Sequence, residues 1–293
     1  MPGTVRELLE ILDLEAIEDN LFRGKQPDTL LQRVFGGQVA AQAVVAAART
    51  VEEPFVPHSM HSYFLRPGDT SVPIVYDVEK LRDGRTFGTR RVVARQHGRP
   101  IYFMTANFQV PEDGLEHQDP MPEVAPPEEC LDFAELSRRR SRALSEEWER
   151  EWAALEVRWA GDSRPGGPLE SSEHPARQRL WIKTNGVLPD DRLTHVAAFS
   201  YASDMTLLGA TLVPHGFRVT EPRMQSASLD HSMWFHRPFP ADQWWLYDQV
   251  SPSASGGRGL EIRRGAGAHP ARAVRAGAVG DRFGPGVDRR VPA

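Results

Sequence analysis

The chain has 293 residues, 40% of them hydrophobic and 26% charged, with a formal net charge of −5. That balance belongs to a globular protein with room for two domains, not to a disordered chain, and the acidic surplus argues against nucleic acid as the main partner. The single cysteine, Cys130, excludes an internal disulfide framework and a cysteine-based metal site. The first twenty residues lack the basic and apolar regions of a signal peptide, and no apolar run is long enough to span a bilayer, so the chain reads as soluble and cytoplasmic.

Taken in order, Thr4 followed by apolar residues at helical spacing predicts a helix over 4–20. Residues 34–50 form the clearest helix, nearly all Ala and Val after Gly36-Gly37. A helix so poor in large side chains can be wrapped closely by a sheet. Its glycine-rich start can offer free N–H groups and a positive dipole end to an anion or oxyanion. Close packing explains the glycine pair equally well. Strands are predicted near 56–66, at 72–82 and 85–97 around the hairpin signal Asp83-Gly84, and at 101–110 after the turn His97-Gly98-Arg99-Pro100. The first domain, 1–110, is therefore one long helix followed by an antiparallel sheet.

Five prolines in 111–131 exclude a regular element there. Cys130 lies among Pro126, Pro127, Glu128 and Glu129, where nothing points to a nucleophile. Residues 132–155, rich in Arg, Glu, Ala and Leu, read as an exposed helix and complete a connector over 111–155. The second domain, 156–260, shows short strands at 156–159 and 179–184. A helix follows, opened by Asp190-Asp191, running to about Leu212 and ended by Pro214-His215-Gly216. Strands at 224–238 and 244–250 complete it.

The strand Ser228-Leu229-Asp230-His231-Ser232-Met233-Trp234-Phe235-His236-Arg237-Pro238 carries hydroxyls, a carboxylate, imidazoles and a guanidinium. A buried strand seldom needs so many polar groups, because each costs free energy without a partner; a solvated edge strand is the plainer alternative. Its pattern repeats an earlier one, His61-Ser62-Tyr63-Phe64-Leu65-Arg66-Pro67, with Met233 as one extra residue. More than half the chain separates the copies, which is a duplicated domain rather than a solenoid. Two such domains in one chain form a pseudo-symmetric pair, as the two copies of a C2 dimer do.

Three stretches carry a family resemblance: Val34-Phe35-Gly36-Gly37-Gln38, His58 through Asp69, and Leu229 through Pro238. They resemble the type II acyl-CoA thioesterases, the TesB-like double-hotdog enzymes, over about residues 5–260. The resemblance implies an α+β double hotdog, each half a long helix wrapped by an antiparallel sheet. It also implies hydrolysis of fatty acyl-CoA by an activated water, without metal or organic cofactor; a homo-oligomer is left open. The family's catalytic carboxylate carries over to Asp204, in Phe199-Ser200-Tyr201-Ala202-Ser203-Asp204-Met205, and its hydroxyl to Ser228. A carboxylate can deprotonate water while a hydroxyl fixes its angle. The plainer alternatives are a capping carboxylate and an ordinary strand hydroxyl. Gly37, Gln38 and His58 are candidates for substrate binding. His61 and His231 are expected at the pocket or interface, since no Gly-x-Ser-x-Gly supports a serine hydrolase. Met233, Trp234 and Phe235 are expected in the core or an acyl tunnel.

The chain departs from the family after Leu260. The family's third catalytic residue is a Gln on the last strand, in a Gln-Glu-Gly motif, whereas the last glutamine here is Gln249. Residues 261–293 are mostly Arg, Ala, Gly and Pro, with neither strand alternation nor β-propensity. The expectation is a disordered tail and a second hotdog lacking its last strands, as a shifted reading frame in a GC-rich gene would give. A genuine divergent tail is the alternative. Two further functions stay open: an acyl-CoA-binding remnant with impaired turnover, and an enoyl-thioester hydratase using an Asp/His pair.

Overall fold

The computed structural model describes residues 1–206, 208–219, 224–267 and 273–285. The first half runs α1 (Val5–Leu12), β1 (Glu15–Glu18), β2 (Leu21–Gly24), α2 (Gly36–Ala48), β3 (Val56–Phe64), β4 (Ile74–Asp83), β5 (Phe87–Gln96) and β6 (Arg99–Gln109). The second runs β7 (Leu131–Asp132), α3 (Phe133–Arg140), α4 (Arg142–Glu151), β8 (Leu155–Asp162), β9 (Arg177–Thr184), α5 (Arg192–Ser203), α6 (Gly209–Leu212), β10 (Met224–Ser228), β11 (Asp230–Trp234), β12 (Trp245–Ser255), β13 (Arg258–Gly267) and β14 (Ala273–Pro285). Among the described residues the strands form one antiparallel sheet in the order β1-β2-β4-β5-β6-β3-β11-β14-β13-β12-β9-β8-β7, with β10 beside β14.

Each half curls its part of the sheet around one central helix. Residues Gly37 to Ala47 of α2 are all buried, so this helix is a core element on every side. Its Ala-rich surface is what lets β3 to β6 approach it. In the second half Phe199 of α5 packs edge-on against Phe239 and Trp245 at 4.9 Å each. The helices α2 and α5 also touch one another.

The halves join where β3 pairs with β11. His61 stands opposite Ser232 and Ser62 opposite His231, so the two His-Ser copies run antiparallel and each histidine faces the other copy's serine. Such reciprocity is the register a two-fold axis demands. On the exposed side His61 Nδ1 lies 3.0 Å from Ser232 Oγ. On the buried side Ser62 donates to the His231 carbonyl at 2.7 Å.

Four expectations are corrected. The first helix stops at Leu12 although Thr4 caps it as predicted; Glu15–Glu18 pairs instead with β2. The 132–155 helix breaks at Ser141, whose backbone is extended (φ −163°, ψ 138°). The helix expected to reach Leu212 ends at Ser203. Leu208 takes a left-handed conformation (φ 69°), which an α-helix cannot carry. Lastly, the sheet does not stop near 260: β13 pairs with β12, and β14 pairs with β13, β10 and β11. Pairing saturates backbone N–H and C=O groups whatever the side chains, so composition alone misjudged this segment. Within β13, Glu261 and Arg263 are both fully buried and neutralise each other through an ion pair. The parts of the expected tail at 268–272 and 286–293 lie outside the described residues.

Candidate active site

Asp204 owes its place to the end of α5. That helix begins at Asp191, whose carboxylate accepts the Leu193 and Thr194 N–H groups, a standard N-cap. It ends with Asp204 as its C-cap, aimed at the N-terminus of α2. The Gly37 N–H donates to the Asp204 carboxylate. A Cβ on Gly36 would lie 2.5 Å from Asp204 Oδ2, and one on Gly37 would lie 2.2 Å from the Tyr201 carbonyl oxygen. Both accounts of the glycine pair therefore hold: the helices pack too closely for any side chain, and the positive end of α2 faces a carboxylate.

Ser228 closes the site from the sheet. The predicted 224–238 strand is interrupted at Leu229, so that β10 pairs with β14 while β11 pairs with β3. At that junction Ser228 donates its hydroxyl hydrogen to Asp204 Oδ1 at 3.2 Å. Asp204 is only 6% exposed. Burial pushes its pKa up from 3.8 to about 7, while Arg263, the Ser228 hydroxyl and the Gly37 N–H hold it from rising further. A carboxyl group poised there is half ionised near neutral pH, which suits a general base.

The other candidates separate from this centre. Gln38 is buried, but its amide nitrogen donates to Lys25 O at 3.2 Å and Gln26 Oε1 at 3.0 Å; it pins the segment ahead of α2. His58 is not brought to Asp204. It lies six residues from Phe64, the β3 residue whose ring crowds Gly36, or roughly 20 Å along the strand. Its ring packs edge-on to Phe87 at 6.0 Å. By the repeat that aligns His61 with His231, His58 occupies in the first half the position of Ser228. The corresponding helix end has no carboxylate: α2 is capped by Arg49, tied to Asp13 at 2.6 Å.

His231 is fully buried, with Nε2 3.4 Å from Ser203 Oγ. Burial, reinforced by Arg263, pushes its pKa down to about 3, so the ring is neutral. Met233 and Phe235 belong to the core. Gln249, the last glutamine, gives its nitrogen to Thr206 Oγ1 at 2.6 Å and accepts from Gln178 at 3.0 Å; it braces the turn after Asp204. Strand β14 runs beside β10 with Ser228 opposite Asp281, and it carries no glutamine. Among the described residues no group of His, Cys, Asp or Glu could hold a metal ion, and no helix is long and apolar enough to cross a membrane.

Sequence reasoning missed Arg263. It is fully buried, donates to the Ser203 carbonyl at 3.1 Å and the Tyr247 hydroxyl at 3.3 Å, and lowers the Asp204 pKa. It was hidden in the segment set aside for its composition. Also missed was an aromatic run beginning beside the glycine pair: Phe35 meets Tyr201 at 5.2 Å and Trp152 at 4.8 Å. Three tryptophans within 148–159 were the available signal.

Residues 26–109 match the family model described as the acyl-CoA thioesterase N-terminal domain, and residues 158–266 match that described as acyl-CoA thioesterase. Acyl-CoA thioesterase 2 of Haemophilus influenzae is 41% identical over 260 residues, covering 89% of this chain and 91% of the relative. The chain belongs to the acyl-CoA thioesterase family. The crystal structure of acyl-CoA thioesterase II TesB2 from Mycobacterium marinum superposes with a TM-score of 0.79 at 40% identity, covering 95% of this chain and 98% of the other. A hot dog fold protein from Alicyclobacillus acidocaldarius, 18% identical, gives a TM-score of 0.75 over 95% of this chain and 98% of its own. The thioesterase double hotdog is thus the fold of this chain, and Asp204 and Ser228 lie where its two halves meet.

Proposed function

We propose that this thioesterase hydrolyses acyl-CoA with Asp204 as general base and Ser228 as the hydroxyl that orients the water. What carries the proposal is the convergence of a buried carboxylate of pKa about 7, a hydroxyl at 3.2 Å and a helix N-terminal N–H on one point. Water bound there gives a proton to Asp204 while its oxygen attacks the thioester carbonyl carbon. Negative charge develops on the carbonyl oxygen and is stabilised by the positive end of α2. Collapse breaks the C–S bond, and the proton on Asp204 passes to the leaving sulfur, giving free acid and CoA thiol. Every atom of one water is then accounted for, and no covalent acyl-enzyme is needed.

The hydratase alternative needs an imidazole working with the acid. His231 is neutral, buried and turned to Ser203, which does not favour it. The test is to incubate the protein with saturated and 2-enoyl acyl-CoA and follow free thiol. Thiol from the saturated substrate is expected; hydration of the enoyl substrate without thiol release would sink the proposal.

A further inference from the structure

The segment between the halves, which composition marks as a connector, forms a wall beside the site. Helices α3 and α4 pack as a hairpin whose outer face is charged, with Arg138 paired to Glu135 and Glu149 and Arg142 to Glu146. The inner face is aromatic. Phe133 packs at a tilt on Trp148 at 4.4 Å and edge-on to Trp159 at 6.2 Å; Trp148 leads to Trp152 at 6.0 Å, and Trp152 to Phe35. The run ends beside Gly36, at the carboxylate.

These rings do not close on a packed core. They border a cavity of about 460 Å³ whose lining includes Phe133, Leu144, Trp148, Trp159, Met205 and Thr206, with Glu147, Arg164 and Arg218 as its charged members. The cavity is a cleft partly open to solvent, and its volume falls in the range of ligand pockets, about 300–1,000 Å³. Its lining reaches the site through Met205 and Thr206, the two residues that follow Asp204, and through the aromatic run that ends at Phe35 beside Gly36. An acyl chain whose thioester carbonyl is held at Asp204 and Ser228 has this apolar cavity as its neighbour.

We infer that the α3–α4 hairpin is the acyl-chain pocket and that Leu144 and Trp148 set the length of chain accepted. The inference rests on the thioesterase proposal and adds the specificity determinant of that site. A chain lying along the aromatic wall gains roughly fourfold in binding for each methylene taken out of water. Its gain stops where the cavity does.

The experiment measures kcat/KM for thiol release from saturated acyl-CoA of four to sixteen carbons. The variants are Leu144→Trp, which fills the cavity, and Trp148→Ala, which enlarges it. Leu144→Trp is expected to cost the longest substrates at least about tenfold while leaving the four-carbon substrate within about twofold, at roughly fourfold per excluded methylene. Trp148→Ala should move the optimum to longer chains. Equal losses at every length, or none, would overturn the inference. A second readout does not depend on turnover: a brominated long-chain fatty acid should quench the tryptophan fluorescence of the unaltered protein, and far less that of Leu144→Trp. Absence of thiol release with quenching intact would contradict the catalytic proposal and leave the pocket standing. Thiol release without quenching would do the reverse.

Discussion

Asp204→Asn should lower kcat/KM for acyl-CoA by about 10³-fold, within the usual contribution of a general base, without loss of stability. The amide keeps the shape of the carboxylate and its place against α2, but it cannot take a proton from water. Stability should move the other way. In the folded chain the Asp204 pKa is about 7 against 3.8 for the free group, because burial penalises its charge. Stability contributed by the neutral form is fully present below about pH 3.8 and is lost as pH rises through 7. The asparagine variant carries no such penalty, so its Tm near pH 8 should equal or exceed that of the parent. Ser228→Ala should cost less. Combined with Asp204→Asn it should add little, since groups that act on one water are non-additive. A variant that loses activity and Tm together, or losses that multiply in the double change, would mean that Asp204 is structural or that the two residues do not share a water.

The second large effect concerns the end of the chain. Strand β14 is in place, yet it carries no glutamine of the kind that the resemblance to the TesB-like enzymes implies for the last strand, and Gln249 is engaged by Gln178 and Thr206. We propose that the reading frame is shifted near codon 260. Resequencing there, followed by expression of the corrected chain beside this one, should show a gain of about 10²–10³ in kcat, the usual cost of one missing positioned donor. The corrected chain should also melt higher, because a strand of regular alternation replaces one in which Glu261 and Arg263 must be buried as a pair at a desolvation cost. If the sequence stands as written and this chain turns over acyl-CoA as fast as a full-length relative, the site needs no such amide.

The duplicated His-Ser-aromatic-Arg-Pro motif and the Ala-rich helix after Gly36-Gly37 made the two halves legible, because both are local patterns with one physical meaning. Asp204 and Ser228 were legible only through the family motif. Nothing in their spacing says that the helix stops at Ser203 and leaves the carboxylate as its C-cap, or that the strand breaks at Leu229 to bring the hydroxyl to it. His58, a candidate for substrate binding, stands apart from that pair: by the duplication it ranks with Ser228, but in the half whose helix is capped by Arg49. Strand β13 was illegible because two ionised residues that neutralise each other in the core look, in sequence, like solvated charge. The aromatic face of α3 and α4 was hidden by arginines and glutamates that occupy the opposite side of the same turns.

The most direct test of the mechanism is the pH dependence of kcat/KM for thiol release from one saturated acyl-CoA, measured from about pH 5 to about pH 9 on the parent and on Asp204→Asn. The parent should lose about tenfold per pH unit below a midpoint near 7, as the base becomes protonated, and the residual activity of the variant should lack that limb. A parent whose rate is flat from pH 5 to 7, or a variant that keeps the same limb, would contradict the assignment of Asp204 as the base.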